Sequence, residues 1–168
     1  TDHDGQADKS HTFVQDKELG APLGVAVFDN VIVVSNTPNV IIYTDVNRDL
    51  KFDAAVDKRE VLLTGFEQAQ HDHSLHSISH SPDGRWIFSN GNCGALFTDK
   101  SGKTFRIGGA YLNNPWTGEA SDDGHVYHGG FTCSINPNGT QARILGYGYR
   151  NSYEQVATSF GDLFQNDN

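Results

Sequence analysis

Short apolar runs separated by turn residues fill this chain, and one arrangement of them recurs three times. Residues 24–36 read GVAVFDNVIVVSN, residues 77–90 SISHSPDGRWIFSN, and residues 155–166 QVATSFGDLFQN. Each copy is an alternating apolar strand, a tight turn (Asp-Asn, Pro-Asp-Gly or Phe-Gly-Asp) and a second apolar strand ending at an Asn. A hairpin with one buried face is too small to stand alone, so its repetition predicts copies packed side by side. The copies end at Asn36, Asn90 and Asn166, 54 and 76 residues apart. A propeller blade takes roughly 40–50 residues, so the first interval predicts one blade and the second one blade plus an insertion. The predicted fold is all-β, a β-propeller.

The remaining pattern completes the blades. Residues 1–10 read as a polar turn, 12–18 as a short strand, 40–44 (VIIYT) and 60–64 as the third and fourth strands of the first blade. A second blade runs from His76 through FTDKSGKTFRIG, with Lys100-Ser101-Gly102-Lys103 as its hairpin turn. Residues 110–125 lack periodicity and read as an inserted loop, and strands resume at 126–135 and 141–147. The blades expected are therefore 1–66, 67–110 and 122–168. Propellers close with about 4–8 blades, and the chain begins at Thr1 and contains no Met. This reading predicts a fragment whose ring is closed by residues outside it. Gly and Pro interrupt every window long enough for a helix, so none longer than about two turns is expected within 20–110.

Composition narrows the class without naming a chemistry. With 36% hydrophobic residues, 18 Gly and a net charge of −9, the chain has the make-up of a turn-rich globular protein. The acidic balance argues against nucleic acid, and no run approaches the roughly 20 apolar residues of a membrane span. Cys93 and Cys133, the only cysteines, each end a predicted strand. They leave two readings open: a disulfide between adjacent blades, suiting a periplasmic or secreted location, or two buried thiols. Asn138-Gly139-Thr140 matches a glycosylation sequon, but Asn-Pro-Asn-Gly makes a turn in any case.

Four segments could carry chemistry. In HDHSLHSISH (71–80), an extended strand would put His71 and His73 on one side and His76 and His80 together on another, so a four-histidine metal site is disfavoured. One histidine acting as a base, and a polar strand with satisfied imidazoles, both remain open. Arg150-Asn151 in GYRNSYE precedes the third repeat as His73 precedes the second, so adjacent blades would present both at one inner rim. An Arg beside an Asn suits a ligand's carboxylate and carbonyl oxygens. Asp45, Asn47, Asp49 and Asp53 alternate as calcium ligands do, echoed by Asp2, His3, Asp4 and Asp8. Leu50 replaces the turn glycine of an EF-hand and Val56 its bidentate Glu, so this is a weak calcium candidate beside the plainer reading of a solvated turn. The closing Gln165-Asn166-Asp167-Asn168 would also reach the rim.

The runs HDHSLHSISHSPDGRWIFSNGN, DKREVLLTGF, DDGHVYHGG and, most specifically, RNSYE with FQNDN resemble the propeller of the membrane-bound dehydrogenases of planctomycetes, verrucomicrobia and their neighbours, which a haem c domain often follows. That family is similar in turn to the soluble quinoprotein glucose and sorbosone dehydrogenases, six-bladed propellers holding pyrroloquinoline quinone beside calcium. Counted back from Pro82-Asp83-Gly84, the resemblance implies His73 as catalytic base with Asp72 orienting it. It implies Arg150, Asn151 and Asn168 as quinone-site residues, with Ser152 standing where the Arg-Asn-Pro motif has Pro. Further cofactor lysine and arginine residues would lie beyond Asn168. The expected function is oxidation of a sugar or other alcohol, with electrons passing to a haem c domain or protein.

A non-catalytic propeller is the alternative. Its rim aromatics, Tyr111, Trp116 and Tyr127, would grip a glycan or a partner protein, or serve as loop anchors. Hydrolysis finds no support, since paired carboxylates and a nucleophile elbow are both missing.

Overall fold

A computed structural model of the protein describes residues 4–67, 71–110 and 113–168. The first repeat folds as read: β1 (Gly24–Phe28) and β2 (Val31–Asn36) form a two-residue hairpin in which Phe28 faces Val31. Asp29 takes the left-handed conformation the turn needs, at φ 55°, which a short polar side chain tolerates best. β3 (Asn39–Thr44) and β4 (Lys58–Thr64) continue a four-stranded antiparallel meander. β2 and β3 are nearly continuous apolar runs because both faces are covered. Val33, Val40 and Ile42 enter the main core, while Val34, Ile41 and Tyr43 pack under Phe13, Leu19 and Phe52.

Residues 12–18, expected as a strand, form no strand. The segment is pinned by side chains instead: Tyr43 Oη donates to the Asp16 carboxylate at 2.7 Å and Arg59 Nε donates to it at 2.7 Å. The Glu18 N–H, Tyr43 and Arg59 together hold the Asp16 carboxyl down at about 2, and burial with the Asp16 contact pushes the Tyr43 phenol up to about 12.

The second repeat is the hairpin β5 (Leu75–His80) and β6 (Trp86–Asn90). Residues 71–73, expected to be extended, make a 3-10 turn, so strand alternation applies only from Leu75. Next come β7 (Ala95–Thr98) and β8 (Thr104–Gly108), joined through the expected turn, and β9 (Tyr127–His128), parallel to β8. β10 (Gly130–Ile135) and β11 (Arg143–Tyr149) follow, with Gly129 at φ 82° breaking the run predicted for 126–135.

These strands do not divide as the blade boundaries predict. β10 pairs with β6, Cys133 opposite Phe88 and Ile135 opposite Trp86, giving a sheet in the order β11-β10-β6-β5. The inserted unit is therefore 95–128, between the second and third strands of this sheet, rather than 110–125 between blades. β6 is buried along its length and needs partners on both edges, which β10 supplies. The insert packs through stacked rings: Phe97 lies against Phe66, Phe105 and Phe131 at centroid distances of 5.3, 5.0 and 6.2 Å.

The third repeat is the hairpin β12 (Gln155–Ala157) and β13 (Leu163–Gln165). Among the described residues no α-helix occurs, and no helix is long and apolar enough to cross a membrane. β5 contacts both β1 and β12, so the first strands of the three repeats lie side by side. Gly24 makes one of these contacts possible, because a Cβ there would sit 2.4 Å from the His76 carbonyl oxygen.

Candidate functional site

Where β5 begins, its leading segment meets the segment ahead of β12, and the loop 90–94 is clamped between them. The Gly91 N–H donates to Ser74 O at 2.8 Å, the Asn92 N–H to Arg150 O at 3.1 Å and the Cys93 N–H to His73 O at 3.3 Å. Gly91 permits the approach: a Cβ there would lie 2.5 Å from both Asn151 Oδ1 and His73 O. Two buried histidine–asparagine pairs result. His73, 4% exposed, donates from Nδ1 to Asn92 Oδ1 at 2.7 Å, and His76, fully buried, donates from Nε2 to Asn151 Oδ1 at 2.6 Å. Since an amide oxygen only accepts, Nδ1 of His73 and Nε2 of His76 each carry a proton in these pairings.

The surroundings differ around the two rings. The exposed Asp72 carboxylate lies 3.9 Å from His73 Nε2. His76 stacks on Tyr153 at 4.1 Å, and burial pushes its imidazole below the ordinary value, a trend the Asn151 bond partly opposes. The Asp167 carboxylate accepts from the Arg150 N–H at 3.1 Å and the Asn151 N–H at 2.8 Å, and Arg150 Nη1 donates to Asn168 Oδ1 at 2.8 Å. His73, Asp72, Arg150, Asn151 and Asn168 thus gather in one place, as equivalent positions in adjacent repeats require. The place is packed rather than hollow, because the His76–Tyr153 stack and the Gly91 contact fill it. The main cavities are lined by other residues. Among the described residues His80 lies at the far end of β5, stacked on Phe28 at 4.2 Å, and shares no site with His73. The side chain of His71 lies outside the described residues.

Sequence reasoning missed Asn92 and Gly91, placed Asp167 at the rim only as one of four closing polar residues, and gave His76 no partner. None belongs to a periodic pattern; the one available signal was that SNGNCG (89–94) is too polar and Gly-rich for the strand end it follows. The Asn closing each repeat proves to be architectural. Asn36 donates to Glu18 O, Asn90 donates to Gly91 O, and Asn166 accepts from the Glu154 N–H.

In the acidic loop, as elsewhere among the described residues, no group of three or more His, Cys, Asp or Glu side chains is placed to hold a metal. The loop's carboxylates instead accept from its own backbone. Asp45 takes the N–H groups of Asp49 (3.2 Å) and Leu50 (2.9 Å), Asp57 takes those of Val46 (2.8 Å) and Asp53 (2.7 Å), and Asn47 donates to Asp49. Leu50, standing where a glycine was expected, keeps the glycine-like turn at φ 65°, at a cost of about 1–2 kcal/mol. The echo at Asp2 and His3 lies outside the described residues.

Cys93 and Cys133 are buried thiols, not joined as a disulfide. Cys133 belongs to the main core, and burial raises its thiol to about 12, so a location argument cannot rest on this pair. Trp116 is a loop anchor, its indole N–H donating to Ile107 O at 3.0 Å. Tyr127 is likewise held, by Asp123 at 2.9 Å, and Tyr111 lies outside the described residues. The sequon segment is the expected turn: Asn138 Oδ1 accepts from the Thr140 N–H, with Gly139 at φ 83°.

A family model described as a domain of unknown function (DUF7133) matches residues 1–160. No curated protein matches the chain.

Proposed function

We propose, for a chain that belongs to the DUF7133 family, that it forms part of a β-propeller in a dehydrogenase-like protein acting on a sugar or other alcohol. The observation carrying this reading is that the segments leading into β5 and β12 meet at Asn92, while β1, β5 and β12 lie side by side. Radial stacking of first strands is what blades around one axis require. In this reading Asn92 fixes the His73 ring so that Nε2, beside Asp72, is the nitrogen able to take a hydroxyl proton. Exposed Arg150, steadied by Asn168, marks the rim.

The residues do not fit pyrroloquinoline quinone as the resemblance implies. Asn151 is 3% exposed and its side-chain oxygen is committed to His76, so it positions a histidine instead of anchoring a ligand. Arg150 alone of the expected pair faces solvent. No redox step is therefore derived through a quinone or calcium. A haem c electron acceptor and a periplasmic or secreted location belong to the same proposal.

The packed His–Asn centre, where His73 lines none of the main cavities among the described residues, favours a second reading, a binding module whose centre is structural. The deciding experiment is dye reduction by the protein, with and without added quinone and calcium, over a panel of sugars and alcohols. The expected result is activity that His73→Gln abolishes without changing the melting temperature. Inactivity of the wild type over the whole panel would establish the binding module as the better reading.

A further inference from the structure

The opposite end of β5 holds a second feature. Between the first two sheets, near the hairpin turns, lies a cavity of about 490 Å3, within the roughly 300–1,000 Å3 typical of small-molecule sites. Its walls are apolar and aromatic: Phe28, Val31, Ile42 and Trp86 contribute, and His80 completes a ladder. The His80 ring stacks on Phe28 at 4.2 Å and 13° and meets Trp86 edge-on at 5.2 Å and 76°. Flat faces set in this way are suited to a flat guest.

Two polar features bias what that guest is. Trp86 is 3% exposed and its indole N–H has no hydrogen-bond partner, a buried donor of the kind native structures rarely leave unmet. At the rim stand Lys58 and Glu60. Glu60 is paired with Lys100 at 3.4 Å, whereas among the described residues Lys58 has no ion pair. The rim therefore offers one uncompensated positive charge beside an apolar slot.

We propose that this cavity binds a small planar anion, an aromatic ring carrying a carboxylate, with the ring against the apolar wall of Val31, Ile42 and Trp86 and the carboxylate at Lys58. The proposal is independent of the His73 region, which lies at the other end of β5.

The test uses 2-naphthoate as probe and naphthalene-2-carboxamide as its neutral counterpart, titrated calorimetrically into the purified protein at physiological salt. Saturable one-to-one binding of 2-naphthoate is expected, with quenching of tryptophan fluorescence. Lys58→Glu should weaken it by about tenfold or more, the scale of one charge-assisted contact, while changing carboxamide binding much less. Lys58→Ala serves in its place if Lys58→Glu shifts the melting temperature. Absence of saturable binding to the folded wild type, equal affinity for the two probes, or unchanged naphthoate affinity in the Lys58 variant would each overturn the proposal.

Discussion

At residue scale, His76 shows how burial and a single partner fix a side chain's state. Its ring is fully buried, held neutral by desolvation, and tied through Nε2 to Asn151. Because the folded value is depressed, the unfolded chain binds more protons between that value and the unfolded 6.5. The stability conferred is thus complete above the unfolded value and is lost as pH falls from 6.5 through the lowered folded one. Urea unfolding at stepped pH should show this loss in the wild type, and His76→Phe, which keeps a ring on Tyr153 but cannot titrate, should show a shallower slope. Equal slopes would mean that other groups carry the acid sensitivity.

At the scale of elements, the site depends on loop 90–94 seating between the segments that lead into β5 and β12. Gly91 has no left-handed requirement; only the space for a side chain is missing. Gly91→Ala should therefore destabilise by about 1–3 kcal/mol, the usual cost of overpacking, and disturb both histidine–asparagine pairs. Gly20→Ala, where a Cβ would meet nothing within 4 Å, should stay within about 0.5 kcal/mol of wild type. Denaturant midpoints compare the two directly, and equal midpoints would show that the loop yields without cost.

At the scale of the whole molecule, the three repeats are unequally supported. The first two sheets have four strands each, and β2, β3, β6 and β10 each have a partner strand on both sides. The β12–β13 hairpin has two strands and leaves Val156, Phe160 and Phe164 in solvent, Phe160 at 93% exposure. Local opening is cheapest where few apolar contacts resist it. Amide exchange should be slowest in the four central strands and fastest in β12–β13. Strong protection of β12–β13 in the isolated chain would show that its apolar face is covered by self-association.

The sequence by itself determined the hairpins. Period-two apolar runs bounded by Asp-Asn, Pro-Asp-Gly and Phe-Gly-Asp fold locally, so β1–β2, β5–β6 and β12–β13 appear where the pattern put them, and the all-β class follows. It set His73 and Arg150, ahead of two repeats, at one rim; in the structure the segments that carry them are joined through Asn92, and the two side chains share none of the main cavities. Only tertiary structure decided the partners. An apolar strand reads alike whichever edge it joins, so nothing local assigns β10 to β6 over a new sheet, nor places 95–128 as the insert. The pairing of His76 with Asn151, 75 residues apart, arises from that packing, as does the commitment of the acidic loop's carboxylates to its own backbone. Hydrogen bonds between distant polar groups leave no periodic trace in a chain, and the same residues spell a solvated turn, a ligand set or a buried clasp until the backbone around them is fixed.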